Sequence, residues 1–361
     1  MLFVEIIDKK GNNLYNYLGI KTLLYKGASH VRKVNIPIFV SHRGCPHDCV
    51  FCNQKRITGQ SGSVTPTQAD GTIKEALSTI DKNNTMVEIA FFGGSFTAIP
   101  ICEQRALLEI AYKYIKDKSA DGIRLSTRPD CINKEELDML KGYGVTSIEL
   151  GVQSTDDEVL LKSRRGHSFE DVKKASKLIN DYGFELGLQM MLGLPGDTKE
   201  KSLKTASDIV SLCPKTTRIY PTIVIRDSAL ALMYERGEYR PLTLEEAVDT
   251  VAQIYTLFKN NGIEILRMGL MASEDMCEGR GIIAVPFHPS FGELVLSRIF
   301  LNKMREIVRD KNENMIVLYV NPHDLSKAIG NKRQNIKILE KEKGVKIKLK
   351  CDENIECGKI L

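Results

Sequence analysis

Three cysteines near the start of the chain carry the clearest chemical signal in the sequence. Cys45, Cys49 and Cys52 are spaced C-x3-C-x2-C and follow an apolar run, Val34–Val40, that predicts a short buried strand. Thiolates spaced in this way around one loop bind zinc or an iron–sulfur cluster. A structural zinc site has four ligands, but no second C-x2-C pair is present, and His47 lies between the cysteines, where it is poorly placed to be the fourth. A cluster held by only three cysteines has one iron open to another molecule.

With Phe51 before the last cysteine, the motif resembles the signature of the radical S-adenosylmethionine enzymes. The resemblance implies that the open iron of a four-iron, four-sulfur (4Fe-4S) cluster binds S-adenosylmethionine, and that reductive cleavage yields a 5′-deoxyadenosyl radical. It also implies an electron donor such as flavodoxin or ferredoxin. A purely structural metal loop is the alternative that the motif leaves open.

Between residues 34 and 266 the sequence predicts an α/β fold. Apolar runs predict six strands: Val34–Val40, Met86–Phe92, Gly122–Ser126, Ser147–Val152, Glu185–Leu192 and Arg218–Ile225. Amphipathic segments predict intervening helices: Thr67–Asp81, Cys102–Lys116, Lys134–Lys141, Ser168–Tyr182 and Lys199–Leu212. Repeated βα units imply a parallel sheet, either doubly wound or a partial barrel. The family resemblance selects a partial (β/α)6 barrel with its site at the C-terminal ends of the strands.

Several residues at these strand ends are predicted to bind the cofactor. Gly93 and Gly94 let a ligand approach the backbone closely, and the matching segment of the family contacts the amino group of S-adenosylmethionine. Arg165 fits the methionyl carboxylate, because a guanidinium fork matches a carboxylate, although a solvated basic loop is the alternative. Glu149 and Gln153 share one face of a strand, with a buried structural carboxylate as the alternative for Glu149. The remaining cofactor-binding candidates are Ser95, Ser126, Gln189 and Met191.

Two residues are candidates for catalysis. Tyr220 ends the sixth predicted strand and is a candidate for a substrate-side or radical-relay role, with a packing role as the alternative. His288 lies between prolines and is a candidate acid or base that faces the substrate, although a loop histidine of this kind is often structural.

Six longer segments together resemble the catalytic subunit of Elongator over residues 35–260. They are Phe92–Thr97, Ser126–Asp130, Glu149–Ser154, Arg164–His167, Met190–Gly196 and Ile219–Arg226. That subunit modifies the wobble uridine of tRNA with acetyl-CoA through a C-terminal acetyltransferase domain. Only 95 residues follow Leu266, too few for that domain. The acetyl-CoA-dependent reaction is therefore not expected.

The C-terminal part of the chain is basic and predicts an RNA-binding module. Residues 303–350 hold 13 Lys and Arg against 6 Asp and Glu, a net +7, whereas the whole chain is +5. Such a segment indicates a polyanion partner. The predicted order strand Met315–Val320, helix Asp324–Ile329, helix Gln334–Lys343 and strand Val345–Leu349 resembles the K homology RNA-binding core. The family's Gly-x-x-Gly clamp ends here in Arg333 instead of glycine. The candidate RNA-binding residues are Lys327, Gly330, Lys332, Arg333 and Lys337.

Composition limits the remaining possibilities. The chain has 361 residues, 42% hydrophobic and 27% charged, and no apolar run approaches 18 residues, so we expect a cytoplasmic protein without a membrane span. Nine cysteines, an odd number, argue against a disulfide framework. We predict an N-terminal extension (1–33), a barrel (34–266), a barrel-capping extension (267–310) with a loop over 267–281, and the K homology-like module (311–361).

The leading hypothesis is a radical S-adenosylmethionine enzyme that modifies tRNA or rRNA. One alternative keeps the radical chemistry but acts on a small molecule or peptide. Another is a non-catalytic iron–sulfur protein that binds RNA.

Overall fold

The computed structural model describes residues 5–7, 13–14, 32–40, 45, 47–53, 64–270, 281–284, 286–311 and 313–361. Most of the predicted N-terminal extension, and residues 271–280 of the predicted loop, lie outside the described residues. The strands in chain order are β1 Glu5–Ile7, β2 Asn13–Leu14, β3 Arg32–Phe39, β4 Thr85–Phe92, β5 Gly122–Thr127, β6 Val145–Gln153, β7 Glu185–Leu192, β8 Thr216–Pro221, β9 Val224–Ile225, β10 Glu264–Met268, β11 Ile282–Ala284, β12 Met315–Val320 and β13 Lys346–Cys351.

Helices follow most of the parallel strands. They are α1 Pro66–Thr79, α2 Ile101–Lys116, α3 Lys134–Gly142, α4 Asp157–Lys162, α5 Phe169–Asp181, α6 Lys199–Ser211, α7 Ala229–Glu235, α8 Leu244–Asn260, α9 Phe291–Val308, α10 Leu325–Ile329 and α11 Gln334–Lys343. Capping boxes begin three of them, because Thr65, Ser168 and Thr243 each accept a hydrogen bond from the third helical N–H. The first predicted helix therefore begins at the Thr65 cap and not at Thr67.

One large sheet organises the chain. Its order in the described residues is β10-β8-β7-β6-β5-β4-β3-β1-β2, and β3 to β8 together with β10 run parallel. The partial barrel is thus confirmed, with seven parallel strands instead of the predicted six. The seventh, β10, is a five-residue strand that includes Glu264 and Arg267. Arg267 therefore does not lie in a loop as predicted.

A smaller module follows the barrel and has its own core. β12 and β13 pair in parallel, and α10 and α11 lie between them in the chain, which confirms the predicted order of elements. Helix α9 belongs to both parts: Phe291, Val295 and Ile299 pack in the barrel core, whereas Leu301 and Met304 pack in the core of the module. The module is therefore attached to the barrel through a shared helix.

Within the described residues no helix is long and apolar enough to cross a membrane.

Candidate active site

The loop that carries the cysteines is held at the C-terminal end of the parallel sheet by backbone hydrogen bonds. The Val50 N–H donates to the Ser163 carbonyl at 3.2 Å, and the Val50 carbonyl accepts from the Leu230 N–H at 2.7 Å. The Cys52 N–H donates to the Cys49 carbonyl at 3.0 Å, which closes a tight turn between two of the thiols. The sequence after β3 is thus fixed to α4 and α7.

The three thiols occupy different environments on this loop. Cys45 is exposed, Cys52 is half-buried, and Cys49 is only 8% exposed. The Cys45 Sγ lies 3.7 Å from the Oγ of the buried Ser95, just beyond the two glycines that end β4. Among the described residues no three His, Cys, Asp or Glu side chains converge on one metal ion. Cysteines that each bind a different iron of a cluster need not converge on a single point.

Arg165 places a buried positive charge against this loop. Its Nη1 lies 3.5 Å from the Cys49 Sγ, and its Nη2 donates to the Gly151 carbonyl at 2.6 Å. The guanidinium is 7% exposed, and its Nε makes no hydrogen bond to a described residue. A buried donor without a partner is costly. It therefore points to a missing anionic or polar ligand beside Cys49.

The loop around Arg165 needs glycine where it meets the cysteine loop. A Cβ on Gly166, whose φ is +76°, would lie 2.3 Å from the His47 imidazole. His47 thus packs directly on the backbone of the loop that presents Arg165. This contact joins the two segments and gives His47 a structural role.

Arg128 holds the backbone of Arg165 through a hydrogen bond. It was not among the predicted site residues. It is 1% exposed, donates to Asp130 at 2.9 and 3.0 Å, and donates to the Arg165 carbonyl at 2.5 Å. Burial acts to lower the pKa of the Arg128 guanidinium, but Asp130 and the nearby Cys49 and Cys45 outweigh this and raise it. The sequence signal for this pair was the Arg-Pro-Asp segment, with the cation two residues before its carboxylate.

Gln153 is the last residue of β6, and its side chain meets that of Gln189, which lies within the neighbouring strand β7. The Gln189 Nε2 donates to the Gln153 Oε1 at 3.2 Å, and Gln153 adopts a φ of +67°, in the left-handed region. A Cβ on Gly151 would lie 2.7 Å from the Arg165 Nη2 and 2.9 Å from the Gln153 Nε2. The Arg165 and Gln153 side chains therefore pass so close to Gly151 that any larger residue there would clash with them.

Glu149 lies deeper in the barrel and is already paired. Its carboxylate accepts from the buried Arg218 Nε at 2.9 Å, and both side chains are almost fully buried. The structure thus favours the alternative of a buried structural carboxylate for Glu149. Its partner is 69 residues away in sequence, so this pair depends on strand order.

The other predicted cofactor residues line the same rim. Gly93 has a φ of +96°, Gly94 follows it, and the Ser126 Oγ donates to the Phe91 carbonyl at 3.4 Å. An apolar cluster comprises Val159, Met191 and Leu194, with Tyr220 and Phe51, the residue before Cys52, packed against them. Tyr220 is half-buried against this cluster, so it lies next to Met191, one of the predicted cofactor-binding residues.

His288 forms hydrogen bonds within its own loop. Its Nδ1 accepts the Ser290 N–H at 3.1 Å, and its carbonyl accepts the Phe291 N–H at the start of α9. None of its contacts with the described residues reaches the cysteine loop. These contacts favour the alternative of a structural loop histidine.

The predicted RNA-binding residues surround the loop between α10 and α11. Lys332, Arg333 and Lys337 are exposed, and Gly330 has a φ of +74°. The Lys327 Nζ, in contrast, forms a salt bridge of 3.1 Å with the buried Asp324. Its charge is therefore largely neutralised within the protein.

The residues of the rim fit an anionic cluster and an amino-acid ligand. The buried Arg165 guanidinium faces the Cys49 thiol and keeps an unused donor, and a positive charge stabilises both a thiolate and a carboxylate. The backbone carbonyls of the half-buried Gly93 and Gly94 are of the kind that accepts hydrogen bonds from an ammonium group. Three thiols are the donor set for such a cluster with one open iron.

Comparison with known proteins identifies the family. The family model described as Radical SAM superfamily matches residues 39–209, and the Radical_SAM C-terminal domain matches residues 214–300. An uncharacterized protein of Methanocaldococcus jannaschii is 32% identical over 265 residues, which cover 69% of this chain and 79% of that protein.

Two further similarities lie in the Elongator-like branch. A tRNA uridine(34) acetyltransferase of Methanocaldococcus infernus is 29% identical over 198 residues, 49% of this chain and 37% of that protein. The fold is similar to that of the archaeal Elp3 of the same organism, with a TM-score of 0.59, 22% identity, and coverage of 77% of this chain and 64% of that chain. The chain thus spans well under half of that acetyltransferase. With its two matched domains and its archaeal relatives, the chain belongs to the radical S-adenosylmethionine superfamily, whose members use a 4Fe-4S cluster and S-adenosylmethionine.

Proposed function

We propose that this protein is an RNA-modifying enzyme that cleaves S-adenosylmethionine reductively and acts on a nucleotide of tRNA or rRNA in the cytoplasm. The observation that supports RNA as the substrate is the shared helix α9, which attaches a basic module to the barrel. The net +7 of residues 303–350 favours a polyanion. The similar archaeal enzyme is named for its action on tRNA uridine, which supports the same substrate class.

In this proposal, the rim residues bind and orient the cofactors. Cys45, Cys49 and Cys52 hold the cluster, and Arg165 binds the methionyl carboxylate with the donor that it leaves unused. When bound, the cluster and S-adenosylmethionine supply a 5′-deoxyadenosyl radical. Other proposed cofactor contacts are Gly93, Gly94, Ser95, Ser126, Gln153, Gln189 and Met191. Glu149 acts only as support, through its pair with Arg218.

The protein itself contributes positioning and exclusion of water. Met191 and Phe51 belong to one apolar cluster, and in this proposal they keep solvent from the side of the rim next to Cys52. Tyr220 is the substrate-side residue in this proposal, since it borders the same cluster. The target base must leave its stack to reach the rim, and a flavodoxin or ferredoxin supplies the electron.

The first test measures cofactor cleavage by the full chain, purified without oxygen and reduced with dithionite. We expect 5′-deoxyadenosine from the wild type and from Cys102→Ala, whose thiol is exposed, but none from Cys49→Ala. Arg165→Lys should lower cleavage about 10- to 100-fold, since a charge-assisted hydrogen bond contributes about 1.5–3 kcal/mol. Arg164→Lys is the matched control, because Arg164 is the exposed neighbour.

The second test measures the RNA product. Nucleosides from tRNA and rRNA incubated with the reduced enzyme should show, by mass spectrometry, a new mass that Cys49→Ala does not produce. Formation of 5′-deoxyadenosine without any change in RNA would favour a small molecule or peptide substrate. Absence of 5′-deoxyadenosine from loaded wild-type protein would rule out the enzymatic proposal.

A further inference from the structure

The two-stranded sheet of the module has one open face. In the register of β12 and β13, Met315, Val317 and Tyr319 lie opposite Lys346, Lys348 and Lys350. The residues between them, Ile316, Leu318 and Ile347, are buried in the core with Ala328 and Leu339 of the two helices. The loop with Gly330 thus belongs to the helical side, whereas this other face points to solvent.

The open face combines a row of positive charges with a row of apolar side chains. The three lysines are exposed and repeat every second residue, about 6.6 Å apart along the strand. Among the residues that the structure describes, no carboxylate forms a salt bridge with them. Met315 is 52% and Tyr319 38% exposed, and the Lys350 Nζ lies 5.9 Å from the centre of the Tyr319 ring.

Exposed apolar side chains concentrate on this face. Seven large hydrophobic side chains are exposed in the described part of the chain, and three of them meet here: Met315, Tyr319 and Leu361. The Leu361 backbone pairs with that of Tyr319 through hydrogen bonds of 2.8 and 3.1 Å, which extends the sheet beside β12. Lysines alone would be explained by protection of an edge strand against aggregation, but this role does not account for an exposed aromatic ring beside them.

We propose that this face, defined by Met315, Val317, Tyr319, Lys346, Lys348 and Lys350, binds a single-stranded segment of RNA. The lysine row follows the phosphates, and a base stacks on the Tyr319 ring, the combination by which proteins hold single strands. The inference deepens the proposed function, on which its choice of RNA rests. It places a second RNA contact on the side of the module away from the α10–α11 loop.

The test measures the affinity of the full chain for a fluorescein-labelled oligouridine of about 12 nucleotides, within the range of known single-strand sites. Tyr319→Ala should weaken binding about 5- to 100-fold, the effect of losing one base stack. Tyr234→Ala is the matched control, because Tyr234 is also 38% exposed but lies on α7; it should bind like the wild type. Binding of an RNA duplex should not change in Tyr319→Ala, since its bases are already stacked.

The lysine row is tested by salt dependence. Lys346→Gln/Lys348→Gln/Lys350→Gln should lower the slope of log affinity against log salt by about 2, as each single-strand phosphate contact contributes about 0.7. The control is the triple glutamine variant of three exposed lysines that precede barrel strands, Lys118, Lys215 and Lys259. Its slope should equal that of the wild type.

Four outcomes would overturn the inference. Unchanged affinity in Tyr319→Ala would leave the lysines as edge-strand protection only. Competition by polyglutamate equal to that by RNA would assign the face to an acidic protein. If Lys332→Gln/Arg333→Gln abolishes binding while both variants of the sheet face bind normally, the proposed function stands and this inference fails; if the wild type does not bind RNA at all, both fail.

Discussion

At the scale of single residues, the rim of the barrel contains a histidine that burial and two neighbouring cations keep uncharged. This residue is His167. Its Nε2 donates to the Val152 carbonyl at 3.2 Å, and its Nδ1 has no partner among the described residues. Burial first, and then the Arg165 and Arg128 guanidinium groups, lower the pKa of His167 to about 3. The imidazole is therefore neutral in the folded protein at every moderate pH.

This depressed pKa predicts acid sensitivity. In the unfolded chain His167 has a pKa of about 6.5, so its contribution to stability is complete above that pH and decreases as the pH falls toward the folded-state pKa of about 3. Between pH 7.5 and pH 5.5 the loss is about 1.4 kcal/mol. We expect the titration of this residue to lower the unfolding temperature, measured calorimetrically without oxygen, by about 2 °C.

His167→Gln isolates that contribution. Glutamine can still donate to the Val152 carbonyl but does not titrate, so the fall in unfolding temperature between the two pH values should become smaller in this variant. His323→Gln replaces an exposed histidine and should keep the wild-type pH dependence. An equal change in both variants would show that His167 is not the responsible group.

At the scale of elements, the start of α11 contains a conformation that glycine would adopt more readily. Arg333 immediately precedes the helix and has a φ of +63°, and it occupies the position where a Gly-x-x-Gly clamp has its last glycine. Left-handed backbone costs a non-glycine residue about 1–2 kcal/mol. Arg333 thus keeps the backbone geometry of a glycine while adding a positive charge.

Paired substitutions test this geometry without a difference in charge. Arg333→Gly should be more stable than Arg333→Ala by about 1 kcal/mol, because only alanine has a Cβ that left-handed backbone disfavours. At Gln334, where φ is −61°, the order should reverse, with alanine more stable by about 0.5–1 kcal/mol. Hydrogen exchange of the α11 amides measures both differences. The same order at both positions would contradict the left-handed conformation of Arg333.

Local patterns predicted those elements whose own residues specify them. Continuous apolar runs such as Glu185–Leu192 matched β7 at both ends. β10 was missed because five residues including Glu264 and Arg267 do not form such a run, and they become a strand only by pairing with β8. Helix α8 was also missed, although Thr243 and Glu246 carried the capping signal that could have predicted it.

The candidate site likewise contains residues that local patterns predicted and contacts that they could not predict. Cysteine spacing located the metal loop, and the chemistry of guanidinium and carboxylate pointed to Arg165, both local features. The pairing of Glu149 with Arg218 and the support of Arg165 by Arg128 depend on which strands are neighbours. Those contacts join residues 69 and 37 positions apart, and no local pattern specifies them.

At the scale of the whole molecule, α9 determines how the C-terminal module is attached to the barrel. The key polar contact is the Asn335 amide, which is 5% exposed and donates to the Ser297 carbonyl of α9 at 3.0 Å and to the Lys327 and Ala328 carbonyls at 3.2 Å. One side chain therefore ties α9 to the end of α10 and the beginning of α11. Loss of this amide would remove a hydrogen-bond donor from these three carbonyls, of which that of Ala328 belongs to a buried residue.

Asn335→Ala should release the module from α9 while leaving the barrel folded. Loss of the hydrogen bonds made by this buried amide costs about 1–3 kcal/mol, so hydrogen exchange of α10 and α11 should become about 5- to 100-fold faster, whereas β4 to β7 should exchange as in the wild type. Asn331→Ala, at an exposed asparagine in the adjoining loop, should change neither. If the proposed function is correct, Asn335→Ala should also cleave S-adenosylmethionine at the wild-type rate but modify RNA more slowly, because the rim is intact and only the placement of the bound strand is lost. Equal loss of both reactions would instead mean that the barrel and the module unfold as one unit.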